Sequence, residues 1–84
     1  MTNKVLINLY VPILNVSYDI FVPVQSRLYE VTELVKKAVS ELSEGQFIPS
    51  LDTVIANRIS GEILDVNRTV FELDIQNGTK LMLV

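Results

Sequence analysis

The chain has 84 residues, is 49% apolar and 20% charged, and carries a formal charge of −3, which describes one small domain over residues 1–84, since compact domains run from about 50 to 250 residues. Cys, His and Trp are all absent, which excludes disulfides, thiolate and imidazole metal sites, Cys-His and Ser-His-Asp nucleophiles and imidazole acid-base catalysis. Ten acidic side chains against seven basic ones oppose a nucleic-acid partner, because affinity for a phosphate backbone comes from clustered cations that release counterions.

A chain of this size buries only about 60–65% of its unfolded surface, so without disulfide or metal an apolar core must hold it. The start, Met1-Thr2-Asn3-Lys4, does not resemble a signal peptide, and the longest apolar run, Leu9 to Leu14, falls short of the roughly 20 residues of a membrane span. The expectation is a soluble cytoplasmic protein with no direct membrane insertion. Asn15, Asn67 and Asn77 sit in N-glycosylation patterns, which carry no meaning without export.

In chain order, residues 4–11 alternate, with Val5, Ile7, Leu9 and Val11 on one face and Leu6, Asn8 and Tyr10 on the other, the period of a strand. Residues 16–22 repeat the pattern after a break at Pro12-Ile13-Leu14-Asn15, so the two form a hairpin. Opposed residues of an antiparallel pair share a face, and a constant residue sum of 27 satisfies this throughout. Val5 then faces Val22, Ile7 faces Ile20, Leu9 faces Tyr18 and Val11 faces Val16, while the opposite face pairs Leu6 with Phe21, Asn8 with Asp19 and Tyr10 with Ser17.

Pro23 ends the second strand, and Ser26 is the expected N-cap of a helix. Leu28, Val31, Leu34, Val35, Ala38, Val39 and Leu42 recur at spacings of three and four and predict one buried stripe. Lys36 and Lys37 fall on the solvated side, with Glu33 four residues before Lys37 in the favoured ion-pair orientation. Gly45 is the expected stop.

Residues 53–56 read as a short strand, Ser60-Gly61 as a turn and 62–64 as a further brief strand. Residues 69–73 predict one helical turn that points Val70 and Leu73 inward. Asn77-Gly78 is a turn signal, and Lys80 to Val84 alternates as a final strand. One amphipathic helix covers one sheet face, so this order predicts an α+β β-grasp, a mixed four- or five-stranded sheet wrapped around one helix. The first and last strands are expected as a central parallel pair, the helix supplying the crossover.

The run Ser60-Gly61-Glu62-Ile63-Leu64-Asp65, followed by Thr69 to Leu83 with Thr69-Val70-Phe71-Glu72-Leu73 and Ile75-Gln76-Asn77-Gly78, resembles the C-terminal half of ubiquitin-like domains. It departs from their pattern at Val70, where Leu is usual, and at Thr79, where Asp is common. Leu28, Val31 and Val35 after Pro23 also stand at ubiquitin-like spacing, so the resemblance covers nearly the whole chain. Within that superfamily the chain is similar to the YukD/EsaB proteins of Gram-positive type VII secretion systems. This resemblance implies a non-enzymatic accessory protein that supports or regulates export. Its implied partners are membrane-associated secretion components, including an FtsK/SpoIIIE-type ATPase. The alternative is a ubiquitin-like adaptor of an unrelated complex or a module that self-associates through its sheet.

Ubiquitin and the sulfur carriers act through a flexible C-terminal Gly-Gly, needed because the tail threads closely past an enzyme backbone. The sequence closes on Leu81-Met82-Leu83-Val84 and has no Gly in its last six residues, so conjugation and sulfur transfer are not expected. Asp65, Glu72 and Asp74 lie near one another in sequence but in turn and capping contexts, without a cleft to tune a catalytic carboxyl. The stretch from Asp65 begins like a calcium loop, yet Val70 stands where the turn glycine belongs and neutral Gln76 where the bidentate carboxylate belongs. No catalytic residue, metal or cofactor is expected. What is left is apolar surface that nothing in the predicted layering covers. Leu6, Tyr10, Phe21, Met82 and Val84 on the outer sheet face, with Ile13 and Leu14 at the hairpin tip, form the candidate protein-interaction surface.

Overall fold

The structure is a computed structural model and describes residues 3–84. Its strands are β1 (Lys4–Val11), β2 (Val16–Pro23), β3 (Ile55–Asn57) and β4 (Lys80–Leu83), with one helix, α1 (Leu28–Leu42), between β2 and β3. They form one sheet in the order β2-β1-β4-β3. β1 pairs antiparallel with β2 in the register of sum 27 over its whole length. β1 and β4 are the central parallel pair, with Leu9 opposite Leu81 and Tyr10 opposite Met82. This is the β-grasp.

The core lies between α1 and the inner sheet face. Ile7, Leu9 and Val11 of β1, Val31, Val35 and Val39 of α1, and Leu81 and Leu83 of β4 are all buried. Phe47, Val70 and Ile75 join the same cluster from the connections. Fully burying a side chain of this kind is worth about 1.5–3 kcal/mol, which is how a chain without cross-links meets the entropy of folding.

Five local expectations are corrected. The segment 62–64 is not a strand but a single bridge between Ile63 and Ala56, so the sheet has four strands, and the third covers 55–57 rather than 53–56. Ser26 is not the helix cap: Arg27 is, its N–H donating to Glu30 Oε1 at 3.1 Å. The free amides of the first helical turn are met from outside, Leu28 N–H by the Arg68 carbonyl at 2.8 Å and Tyr29 N–H by that of Val66 at 3.0 Å. Neighbouring loop carbonyls thus do what a capping hydroxyl does elsewhere.

The buried stripe of α1 is Leu28, Val31, Thr32, Val35, Lys36 and Val39, rotated from the expected one. Leu34 and Leu42 are 44% and 58% exposed, whereas Lys36 is 8% exposed. Both polar members satisfy their heads locally: Thr32 donates its hydroxyl to the Leu28 carbonyl at 2.7 Å, and Lys36 Nζ meets Glu33 at 3.0 Å. A lysine stem can be buried when its ammonium reaches a partner. The expected Glu33–Lys37 pair is therefore replaced by Glu33–Lys36.

The helix ends at Leu42 with Ser43 as its C-cap; Glu44 takes the left-handed φ of 56°, and Gly45, the expected stop, follows at φ 81° with its N–H reaching back to the Ser40 carbonyl at 2.8 Å. The segment 69–73 is the expected helical turn, closed by Leu73 N–H to the Thr69 carbonyl at 3.0 Å, with Val70 buried and Leu73 packed against the core. Asn77-Gly78 turns as expected, and it also extends the β1 ladder. Leu6 N–H donates to Asn77 Oδ1 at 2.7 Å while Gly78 N–H donates to the Leu6 carbonyl at 2.8 Å.

Candidate functional site

Strand alternation puts Leu6, Asn8 and Tyr10 of β1, Phe21 and Asp19 of β2 and Met82 of β4 on the outer sheet face. Leu6 stands directly opposite Phe21, which is 59% exposed. Beside that pair runs a polar strip. Asn8 Nδ2 donates to Asp19 Oδ1 at 3.1 Å, and Asn8 Oδ1 accepts from Arg58 Nη1 at 3.1 Å. The Arg58 guanidinium lies over the Tyr10 ring, 4.5 Å from its centroid, and Tyr10 Oη donates to Asn15 Oδ1 at 2.8 Å.

The outer face is therefore not one apolar field. The strip separates Leu6 and Phe21 from Met82, and Tyr10 belongs to the strip as the platform for Arg58. Arg58 meets Asn8 across 50 positions, a distance no local periodicity spans, so its place on this face is not legible in the sequence.

The other candidates gather at the end of the molecule where the hairpin tip meets the close of β4. Pro12, Ile13, Phe47, Ile48, Thr53, Leu83 and Val84 line a groove of about 330 Å³. Phe47 and Leu83 are buried in its floor, and Ile13 and Ile48, 82% and 84% exposed, stand on its rim. Leu14, by contrast, turns inward and packs against the core.

Local hydrogen bonds shape each wall. The hairpin tip is a tight turn closed by Leu14 N–H to the Val11 carbonyl and Asn15 N–H to the Pro12 carbonyl, at 3.1 and 3.0 Å. Asn15 takes the left-handed φ of 54° that this turn requires. Ser43 Oγ accepts from Phe47 N–H at 3.0 Å, folding the chain back after α1 so that the ring enters the core. Val54 and Val84 exchange both backbone hydrogen bonds, at 2.8 and 2.9 Å. Residues 46–52 read as a plain connection in the sequence, which hides Phe47 and Ile48. The signal was the apolar content of Phe47-Ile48-Pro49 and Leu51 in a segment expected to be polar.

The carboxylates near the fourth strand serve turns. Asp65 Oδ1 accepts from Asn67 N–H at 2.9 Å, and Asp74 Oδ1 from Gln76 Nε2 at 2.8 Å. Thr69 and Glu72 form a reciprocal cap: Thr69 N–H donates to Glu72 Oε1 at 2.9 Å and Glu72 N–H to Thr69 Oγ1 at 3.0 Å. The Thr69 backbone donor holds the Glu72 carboxyl below the usual glutamate range, helped by the Thr69 side chain and the charges of Arg68 and Arg27. Among the described residues no three acidic side chains gather as a metal site, and no helix is long and apolar enough to cross a membrane.

No family model matches the sequence, and no curated protein sequence matches it. Solved structures do match the fold. The chain is similar to the ubiquitin-like domain of the type VII secretion system protein EccD1 of Mycobacterium tuberculosis, with a TM-score of 0.80 at 14% identity over 99% of both chains. It is similar to the EccD5 ubiquitin-like domain from Mycobacterium xenopi, with a TM-score of 0.72 at 12% identity over 99% of this chain and 94% of that one. It also matches part of a chain in the MycP5-free ESX-5 inner membrane complex, with a TM-score of 0.70 at 13% identity, and there spans 21% of that chain. The fold is ubiquitin-like.

Proposed function

We propose that this chain is a non-conjugated ubiquitin-like accessory protein of a Gram-positive type VII secretion system, of the YukD/EsaB kind, that works in the cytoplasm by docking to membrane-associated components such as an FtsK/SpoIIIE-type ATPase. The observation that supports this most is the match to the EccD1 ubiquitin-like domain, with a TM-score of 0.80 over 99% of both chains. The surface chemistry agrees with a role in being bound. Exposed apolar side chains stand at the end groove, where Ile13, Ile48 and Val84 line it, and at Phe21 on the outer sheet face, and exposed apolar surface beside a cleft is the kind that protein partners cover. The sequence contains no His or Cys, Glu72 is engaged in a cap, and Asp65 and Asp74 accept hydrogen bonds within turns.

The test is capture of the tagged chain from detergent-solubilised membranes of its host, compared with a host lacking the secretion locus. Enrichment of the secretion ATPase or another membrane component in the first host is expected. Recovery of the same proteins from both hosts, with no secretion component among them, would exclude the proposal. The exposed edge of β2 favours self-association as the second reading, because β2 is the outermost strand of the sheet and an open edge is a template for pairing. A concentration-dependent dimer in sedimentation equilibrium, lost on replacing Asp19 by Pro, would support it.

A further inference from the structure

We propose that the end groove receives a protein segment that is apolar at its centre and carries Lys or Arg on its flanks. The inference rests on the reading that this surface docks protein, and it specifies the chemistry of the segment. The chain has ten acidic and seven basic side chains. Three of the acidic ones, Glu41, Glu44 and Asp52, lie in residues 38–57, which contain no Lys or Arg. The remaining seven acidic and seven basic side chains balance, so the whole net charge of −3 falls on the stretch that supplies Phe47, Ile48 and Thr53 to the groove. The other two walls, residues 11–18 and 81–84, hold no charged residue.

Among the described residues these three carboxylates, together with Glu62, take no part in the fold's own side-chain hydrogen bonds. Asp19, Glu30, Glu33, Asp65, Glu72 and Asp74 each accept a hydrogen bond from the chain. Among the described residues the side chains of Glu41, Glu44 and Asp52 accept none and form no ion pair, and all three are exposed. Their backbones are nevertheless fixed. Glu44 holds φ 56° with its N–H on the Glu41 carbonyl at 3.1 Å, and Asp52 N–H donates to Ser50 Oγ at 3.2 Å, one residue before the groove-lining Thr53.

Unpaired charge of one sign beside an apolar cleft steers an oppositely charged partner and rejects like-charged ones. A nucleic acid or an anionic lipid surface would bring negative charge to this acidic segment, and a second copy would offer either the same segment or its charge-balanced remainder, neither of which supplies net positive charge. A basic segment meets the carboxylates while its bulky centre covers Phe47 and Leu83 between Ile13 and Ile48.

The experiment titrates the full ¹⁵N-labelled chain with two synthetic peptides that share a Leu-Ile-Ala-Leu centre, one flanked by Lys and the other by Glu. The Lys-flanked peptide should shift the amide signals of Ile13, Phe47, Ile48 and Val84 saturably. It should bind about tenfold more tightly than its counterpart and weaken about fivefold between about 50 and about 300 mM sodium chloride, as screened charge pairs do. Ile48→Ser, at an exposed position, should abolish the shifts, and the pair Glu44→Gln with Asp52→Asn should remove the salt dependence while the fold's own spectrum persists. Equal, salt-independent binding of both peptides would overturn the charge selection and leave the groove as a docking site. Shifts confined to other surfaces, or no saturable binding of the Lys-flanked peptide, would overturn the site itself. The peptide preference does not depend on the host, so a failed capture of secretion components would count against the secretion assignment alone.

Discussion

The guanidinium of Arg58 stacks on the ring of Tyr10 at 4.5 Å and, through Nη1, donates to Asn8. One side chain from beyond β3 thereby crosses β4 to reach β1. The contact divides the outer sheet face into an apolar corner at Leu6 and Phe21 and a separate apolar end at Ile13 and Val84.

Removing that clasp should have a modest and measurable cost. An exposed cation–π pair is worth about 0.5–1 kcal/mol and a hydrogen bond about 0.5–1.5 kcal/mol, so Arg58→Ala should lower stability by about 1–2 kcal/mol in urea unfolding and shift the Tyr10 ring resonances. Arg58→Lys should recover only part, because an ammonium lacks the planar fork. An unchanged Tyr10 ring environment in Arg58→Ala would contradict the clasp.

The rotated helix face predicts a contrast between leucines. Leu9 is fully buried under α1, and Leu9→Ala should cost about 2–5 kcal/mol, a large fraction of the roughly 4–12 kcal/mol available to a chain of this length at 0.05–0.15 kcal/mol per residue. Leu34→Ala and Leu42→Ala, at half-exposed positions, should each cost under about 1 kcal/mol. Equal losses at Leu34 and Leu9 in chemical denaturation would mean that the helix presents the other stripe.

Glu72 predicts an acid-sensitive contribution. Its folded pKa is lowered, chiefly by the Thr69 backbone donor. The stability it adds is therefore present above its unfolded value, about 4.3, and is lost as pH falls through the lower folded value. Wild type and Glu72→Gln should differ in urea midpoint at pH 7 and draw together as the pH falls below the ordinary glutamate range. A gap that persists undiminished at the acid end would show that the carboxylate's charge is not what holds the cap.

Gly45, two residues past the C-cap of α1, holds φ 81° in open surroundings, with nothing within 4 Å of the position a Cβ would take. Gly45→Ala therefore costs backbone strain alone, about 1–2 kcal/mol, and Gly45→Asn less, because Asn tolerates this region. Thermal unfolding of the two variants in parallel should rank them wild type, Asn, Ala.

The sheet was legible in the sequence to the residue where alternation was long. Eight-residue strands on both sides of a short loop leave one register that keeps Ile7 and Leu9 inside, and the residues Asn77-Gly78 announce the turn that starts β4. Legibility failed where long-range contacts override local signals. Ser26 has a capping side chain, but Arg68 and Val66 bring carbonyls to the helix start. Lys36 has a charge, yet its stem is buried and its ammonium is met by Glu33. The candidate surface divided in the same way. Leu6, Phe21, Ile13 and Val84 follow from strand parity and loop position. Leu14 turned inward, and Arg58, Phe47 and Ile48 enter only through the meeting of distant segments.

The most direct test of the docking role is a binding measurement between the purified secretion membrane complex, immobilised in detergent, and three forms of the chain: wild type, Ile48→Ser and Phe21→Lys. The account predicts saturable binding of wild type, a loss of about tenfold or more in Ile48→Ser, as expected for an anchor at an interface, and a circular dichroism spectrum shared by all three. Absence of wild-type binding, or full-strength binding by Ile48→Ser, would contradict it.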